Sequence, residues 1–222
     1  MNRSEATLRN AWRKLGGAES DRVIDAVIAR YSEVERRYHT VDHVAAVLDH
    51  VDRLLSDDRA VDGGQIDADV VRAGALFHDV VYDPRSSSNE QDSARLAVEA
   101  VRSLGWDATR QTQLDAIILA TATHAAESAE SAVLLDADLA ILGAPPLTYW
   151  RYVDAVRAEY SFVDDSGWTE GRSAVVRSLL ERPHIFTTAA MRASHEPQAR
   201  LNLVEELRIL RSSIHQSDDF GP

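Results

Sequence analysis

Two short stretches hold most of the residues in this chain whose types suit chemistry: Tyr38-His39-Thr40-Val41-Asp42-His43 and Phe77-His78-Asp79. The second closes an almost uninterrupted apolar run, Val70-Val71-Arg72-Ala73-Gly74-Ala75-Leu76-Phe77. Such a run reads as a helix buried nearly all round. An ionised carboxylate at its end is costly unless it is paired or holds a cation. His78 sets a neutral imidazole nitrogen beside Asp79, so the pair reads as half of a metal site. Thr40 is a natural helix cap, which leaves His39 on the turn just outside and His43 pointing inward among Val44 and Val47. A lone His on such a face is usually a core residue. Read with His78 and Asp79, His43 becomes a third ligand, and one further carboxylate would complete a set for a divalent ion. The buried stretch Leu134-Leu135-Asp136-Ala137-Asp138-Leu139-Ala140-Ile141-Leu142 offers two, Asp136 and Asp138. Mixed nitrogen and oxygen ligation suits Mn²⁺, Mg²⁺, Fe²⁺, Ni²⁺ or Zn²⁺. An ion so held keeps open positions, acidifies a bound water and withdraws charge from a phosphoryl group.

The elements that must position these residues are helical throughout, with no convincing alternating strand pattern. Apolar residues at threes and fours predict helices over about 4–15, 21–35, 41–55, 67–81, 89–104, 109–124, 131–142, 147–163, 168–181 and 196–216. Gly16-Gly17, Gly105 and Gly143-Ala144-Pro145-Pro146 read as stops, and 57–65 reads as a loop. Asn89 is the expected cap of its helix. The expectation is one all-α domain over 1–216, a bundle of about nine to eleven helices, with 217–222 as a flexible tail.

Composition narrows the partners. The 222 residues contain no cysteine, which excludes disulfides, zinc–thiolate sites and thiol nucleophiles. A cytoplasmic home fits that, as does the absence of a leader-like or membrane-spanning apolar stretch. A formal charge of −12 disfavours nucleic-acid polymers and anionic membranes. It leaves room for a small phosphorylated ligand, because a bound divalent cation inverts the local field. Trp150 and Trp168, read as exposed, are compatible with a homodimer interface.

The ordered set His43…His78-Asp79…Asp138 resembles the H…HD…D signature of the HD-domain superfamily of metal-dependent phosphohydrolases, which are all-α. Tyr-His-Thr-Val-Asp-His is similar to the Tyr-His-Asn-x-x-His stretch of the cyclic-nucleotide phosphodiesterases within that superfamily. There the second His binds metal and the first serves as general acid toward the leaving oxygen. The resemblance therefore implies a metal role for His43 and an acid role for His39. Ala137-Asp138-Leu139 resembles the same enzymes' late ligand segment, which favours Asp138 over Asp136. Most of the chain is similar to a bacterial group of uncharacterised HD-superfamily phosphohydrolases, through Phe-His-Asp-Val-Val-Tyr-Asp-Pro, Asn89-Glu90-x-x-Ser93-Ala94, Asp-Ala-Asp-Leu-Ala-Ile-Leu-Gly and Ala199-Arg200-Leu201-Asn202-Leu203. The implied activity is hydrolysis of a phosphomonoester or phosphodiester of a nucleotide or another small metabolite.

Other residues complete the list. His39, Asp79, Asp136 and His124 are the candidates for the chemical step. His124 ends a helix, where it is either a favourable cation at a C-terminus or a contact to phosphate or a second metal. Asp83 and Glu90 flank the loop after His78-Asp79, as a capping pair or as groups reaching a substrate. Arg200 would clamp a phosphate if it is not simply a solvated surface residue, and Asn202 lies beside it on the last helix. Glu205-Glu206 reads as a solvated face. Two other functions compete. A di-iron oxygenase would need extra His or Asp ligands, which His124 with Asp136 could provide, and a metal- or nucleotide-binding sensor would have no need of His39.

Overall fold

In a computed structural model of the chain, residues 2–18, 21–57 and 66–218 are described, with side chains through 212. The loop expected over 57–65 lies almost wholly outside them, as do the last four residues of the expected tail. The described residues form eleven α-helices and two 3-10 segments, with no strand among them. The helices are α1 Arg3–Lys14, α2 Arg22–Tyr31, α3 Val41–Leu55, α4 Ala68–Phe77, α5 Asn89–Ser103 and α6 Ala108–Leu119, then α7 Ala129–Asp138, α8 Pro146–Glu159, α9 Asp165–Glu181, α10 Ala189–Ser194 and α11 Glu196–Asp218. The 3-10 segments, Ala120–Ala122 and Leu139–Gly143, continue α6 and α7.

The apolar run becomes the central helix. Val70, Val71, Ala73, Ala75 and Leu76 are wholly buried, and α4 packs against α1, α3, α5, α6 and α7. Burying each large aliphatic or aromatic side chain contributes about 1.5–3 kcal/mol. Trp12 of α1 meets Phe77 edge-on at 6.1 Å, and the buried Tyr31 hydroxyl of α2 donates to the Leu76 carbonyl at 3.2 Å. The later helices join this core through the 3-10 segment Leu139–Gly143, which packs on α8 and α11, while α9 and α10 pack on α11. One hydrophobic cluster extends from Leu8 to Leu207.

Helix ends differ from the sequence expectation in ways that build the site. Gly16 and Gly105 sit at φ 101° and 81°, the left-handed geometry that ends α1 and α5 and that residues with a Cβ resist. Helix α2 stops at Tyr31 instead of about 35, and Ser32 to Glu35, the apolar Val34 among them, are exposed. Helix α4 stops at Phe77 instead of about 81. The buried Arg36 guanidinium takes the carbonyls of Asp79 at 2.7 Å and Val80 at 3.1 Å, so the chain turns there. Thr40 occupies the N-cap position of α3, but its side chain makes no capping bond. The cap position of α5 belongs to Ser88; Asn89 instead bridges back to Asp83, accepting from its N–H at 3.0 Å and donating to its carbonyl at 2.8 Å. The expected 109–124 helix is α-helical only to Leu119. Short α10, which the apolar pattern did not announce, is capped by Thr188 Oγ1 accepting from the Met191 N–H.

Candidate metal centre

Three helices bring His43, His78 and Asp138 together, with Asp79 against the two imidazoles. His43 lies in the first turn of α3, His78 is the C-cap of α4 with Asp79 directly after it, and Asp138 is the last residue of α7. His43 Nε2 and His78 Nε2 are 3.2 Å apart. Asp138 Oδ1 stands 3.3 Å from the first and 3.5 Å from the second. Asp79 Oδ2 stands 3.2 Å from His78 Nε2 and 3.6 Å from His43 Nε2. Donor atoms about 2.1 Å from one ion stand roughly 3.0 Å apart at right angles and about 3.4 Å apart at the tetrahedral angle. The observed spacings, 3.2 to 3.6 Å, lie close to these values. His43, His78 and Asp138 in particular offer ligand atoms that all lie within 4.8 Å of one another.

The donor set also has the right protonation. His78 Nδ1 is 3.0 Å from the Ala75 carbonyl, which can only accept, so Nδ1 carries a proton and Nε2 is the nitrogen turned to the cluster, free to ligate once a metal displaces its proton. Burial pushes the Asp79 and Asp138 carboxyls up, but the surrounding imidazoles hold both well below the usual carboxylate range. Burial likewise pushes His78 down, and Asp79 and Asp138 carry it well above the usual value. The carboxylates thus demand a positive partner that either protons or a metal ion can supply. Backbone adds to this demand. α4 ends at the cluster, and a helix C-terminus carries negative partial charge that favours a cation.

His39 stands beside the ligands, its Nε2 3.9 Å from Asp79 Oδ2. Its other nitrogen, Nδ1, is 2.7 Å from Oε2 of Glu159, the last residue of α8. Glu159 is buried, and its carboxylate gathers five donors. Oε1 accepts the backbone N–H groups of Arg37, Tyr38 and His39 at 2.7, 2.8 and 3.1 Å. Oε2 accepts the Tyr82 hydroxyl at 3.0 Å as well as His39. Burial pushes this carboxyl up, but His39 and the backbone donors bring it down to about 2. Tyr82 also stacks on the His39 ring at 4.1 Å. Sequence reasoning missed Glu159, Tyr82 and Arg36. Glu159 had a readable signal, since it continues the inward stripe Tyr149, Val156 at helical spacing, where an acid needs a partner.

The remaining candidates are distributed as follows. His124 Nε2 meets Asp138 Oδ2 at 3.2 Å, at the edge of the cluster. Asp136 does not join it. Its buried carboxylate accepts the N–H groups of Thr187 and Thr188, both at 2.7 Å, and so anchors the segment before α10. Asp83 is occupied by the turn before α5, its Oδ1 accepting the Arg85 N–H at 2.9 Å. Glu90 lies in the first turn of α5, where an acid suits the helix dipole. Arg200 is bound to Glu196 Oε1 at 2.7 Å and to the carbonyls of Leu180, Arg182 and Pro183, so its donors serve the end of α9. Asn202 is buried and donates to the Leu142 and Ala144 carbonyls at 2.8 and 2.9 Å, tying α11 to the 3-10 segment. Glu206 is buried rather than solvated. It accepts Arg172 Nε at 2.7 Å and the Tyr149 hydroxyl, whereas Glu205 pairs with Arg208 on the surface. Trp150 and Trp168 are half-buried, not exposed. No helix among the described residues is by itself long and apolar enough to cross a membrane. No protein-family model, curated protein or solved structure matches this chain, so its chemistry is read from the site itself.

Proposed function

We propose that the protein is a metal-dependent phosphohydrolase of the HD-domain type, acting on a phosphoester of a nucleotide or another small metabolite. The observation that carries the reading is the meeting of His43, His78 and Asp138 at ligand spacing, with Asp79 against both imidazoles, in the order His, His-Asp, Asp along the chain. These four would hold the ion. When bound, a divalent cation supplies Lewis acidity toward a phosphoryl oxygen and makes a water nucleophilic near neutral pH. The protein's own groups handle the rest. Glu159 accepts the Nδ1–H of His39 and supplies the negative charge that an imidazolium needs, so a second proton on Nε2, which faces the ligand cluster, is the one given to a departing oxygen. Tyr82 stacks on that ring and limits its rotation, and Arg36 holds the 79–80 turn against the 36–39 segment. The oxygenase reading loses support because Asp136, one of the two residues that could provide its extra ligands, is committed to Thr187 and Thr188.

The test is phosphate release from nucleotides, cyclic nucleotides (with an added phosphatase to score ring opening) and sugar phosphates, with Mn²⁺ and with Asp79→Ala alongside. Turnover that vanishes in Asp79→Ala, together with its bound metal, is expected. His39→Ala should keep the metal and slow the reaction about 10²–10⁴-fold. Full activity in Asp79→Ala would overturn the assignment.

A further inference from the structure

We infer that Arg182 and His124 act in series as positioning residues for Asp138, fixing the carboxylate that the metal centre uses; this rests on the metal-centre reading above. Asp138 divides its oxygens. Oδ1 faces His43 and His78, while Oδ2 meets His124 Nε2 at 3.2 Å. A carboxylate tethered at one oxygen only can swing about its own axis, so the second contact decides whether Oδ1 is presented to an ion.

His124 reaches Asp138 from an unusual backbone. It is the one residue other than glycine with positive φ among the described residues, at 50°, directly after the 3-10 segment that ends α6. Residues with a Cβ avoid that region unless their surroundings impose it. Arg182, the C-cap of α9, supplies the constraint. Its Nη1 donates to the His124 carbonyl at 3.0 Å and its Nη2 to the Thr123 carbonyl at 3.1 Å, so the planar fork grips two successive peptides. Arg182 is fixed in turn, because its own carbonyl accepts Arg200 Nη2 at 2.9 Å. Arg200 is paired with Glu196, whose carboxylate also accepts the Ile185 and Phe186 N–H groups. A hydrogen-bonded path therefore runs from α11 through Arg182 and His124 to the oxygen behind the ligand.

The alternative is that Arg182 merely fastens the end of α6, which would affect stability and not metal binding. Calorimetric titration of Mn²⁺ into metal-free protein separates the two. Arg182→Ala and His124→Gly should each weaken Mn²⁺ binding by about 10-fold or more. The double variant should bind no more weakly than His124→Gly alone, because Arg182 acts only through His124. Glycine accepts φ 50° and so offsets part of the lost Asp138 contact; His124→Gly should therefore lower the metal-free melting temperature less than Arg182→Ala does while still losing affinity. Arg182→Lys, which can hold one carbonyl, should fall between wild type and Arg182→Ala, and it replaces the alanine variant in the cycle if that fails to fold. A lowered melting temperature with unchanged Mn²⁺ affinity in Arg182→Ala would overturn the proposal. So would losses that multiply in the double variant. A wild-type protein that takes up no Mn²⁺ would instead overturn the metal centre itself.

Discussion

Glu159→Gln isolates the carboxylate that holds the His39 loop, and its effect can be worked out in advance. Glu159 is 6 % exposed, and its carboxyl titrates at about 2 in the folded chain against an ordinary 4.5. At about 1.4 kcal/mol per pH unit, that gap contributes about 3 kcal/mol of folding stability at neutral pH. Because the folded value is the lower one, the contribution is complete above the ordinary value and fades as pH falls from about 4.5 toward 2. At pH 3 roughly 1.5 kcal/mol of it should remain. Glutamine keeps the shape and an oxygen but cannot titrate. Urea unfolding of wild type and Glu159→Gln at pH 7 and pH 3 should therefore give a stability difference smaller at pH 3 by about 2 kcal/mol. Protonation of the other carboxylates is common to both proteins and cancels in the difference. The same variant should bind Mn²⁺ as tightly as wild type, since no hydrogen bond of Glu159 goes to any of the four ligands. An equal stability difference at the two pH values would refute the electrostatic account of this residue.

Two further substitutions test roles that the structure assigns away from the chemistry. Asp136→Asn replaces one of the two oxygens that accept the Thr187 and Thr188 N–H groups with a donor that faces one of them. It should lower stability by about 1–3 kcal/mol in urea and leave the Mn²⁺ titration unchanged. Glu206→Gln leaves the buried Arg172 guanidinium without its counter-charge. A loss of about 3 kcal/mol or more is expected in the same assay, and a loss below about 1 kcal/mol would show that water, not Glu206, compensates Arg172.

How far the sequence carries the site depends on whether a residue's partner lies in its own helix. His78-Asp79 was legible because polar side chains interrupt an apolar helix, and the all-α architecture followed from apolar spacing alone. Asp136 and Asp138 show where spacing stops. Two positions along a helix turn a side chain by about 200°, so the pair had to face opposite ways. Which one faced the histidines depended on how α7 rolls against α3 and α4. Glu206 was misread as half of a solvated pair, although Leu203, Glu206, Leu207 and Leu210 share one apolar stripe. Glu159 and Arg36 were out of reach for a different reason. Each serves peptide groups and side chains 40 to 120 residues away: Arg36 reaches the Asp79 and Val80 carbonyls, and Glu159 reaches the 37–39 N–H groups. The Asp79 and Val80 carbonyls follow the end of α4 and the 37–39 N–H groups follow the end of α2, where no helix bond takes them up. The helix ends and the two buried charges therefore act together. Backbone groups released by ending the helices are taken up by Arg36 and Glu159, and the turn so formed is what sets His39 beside Asp79.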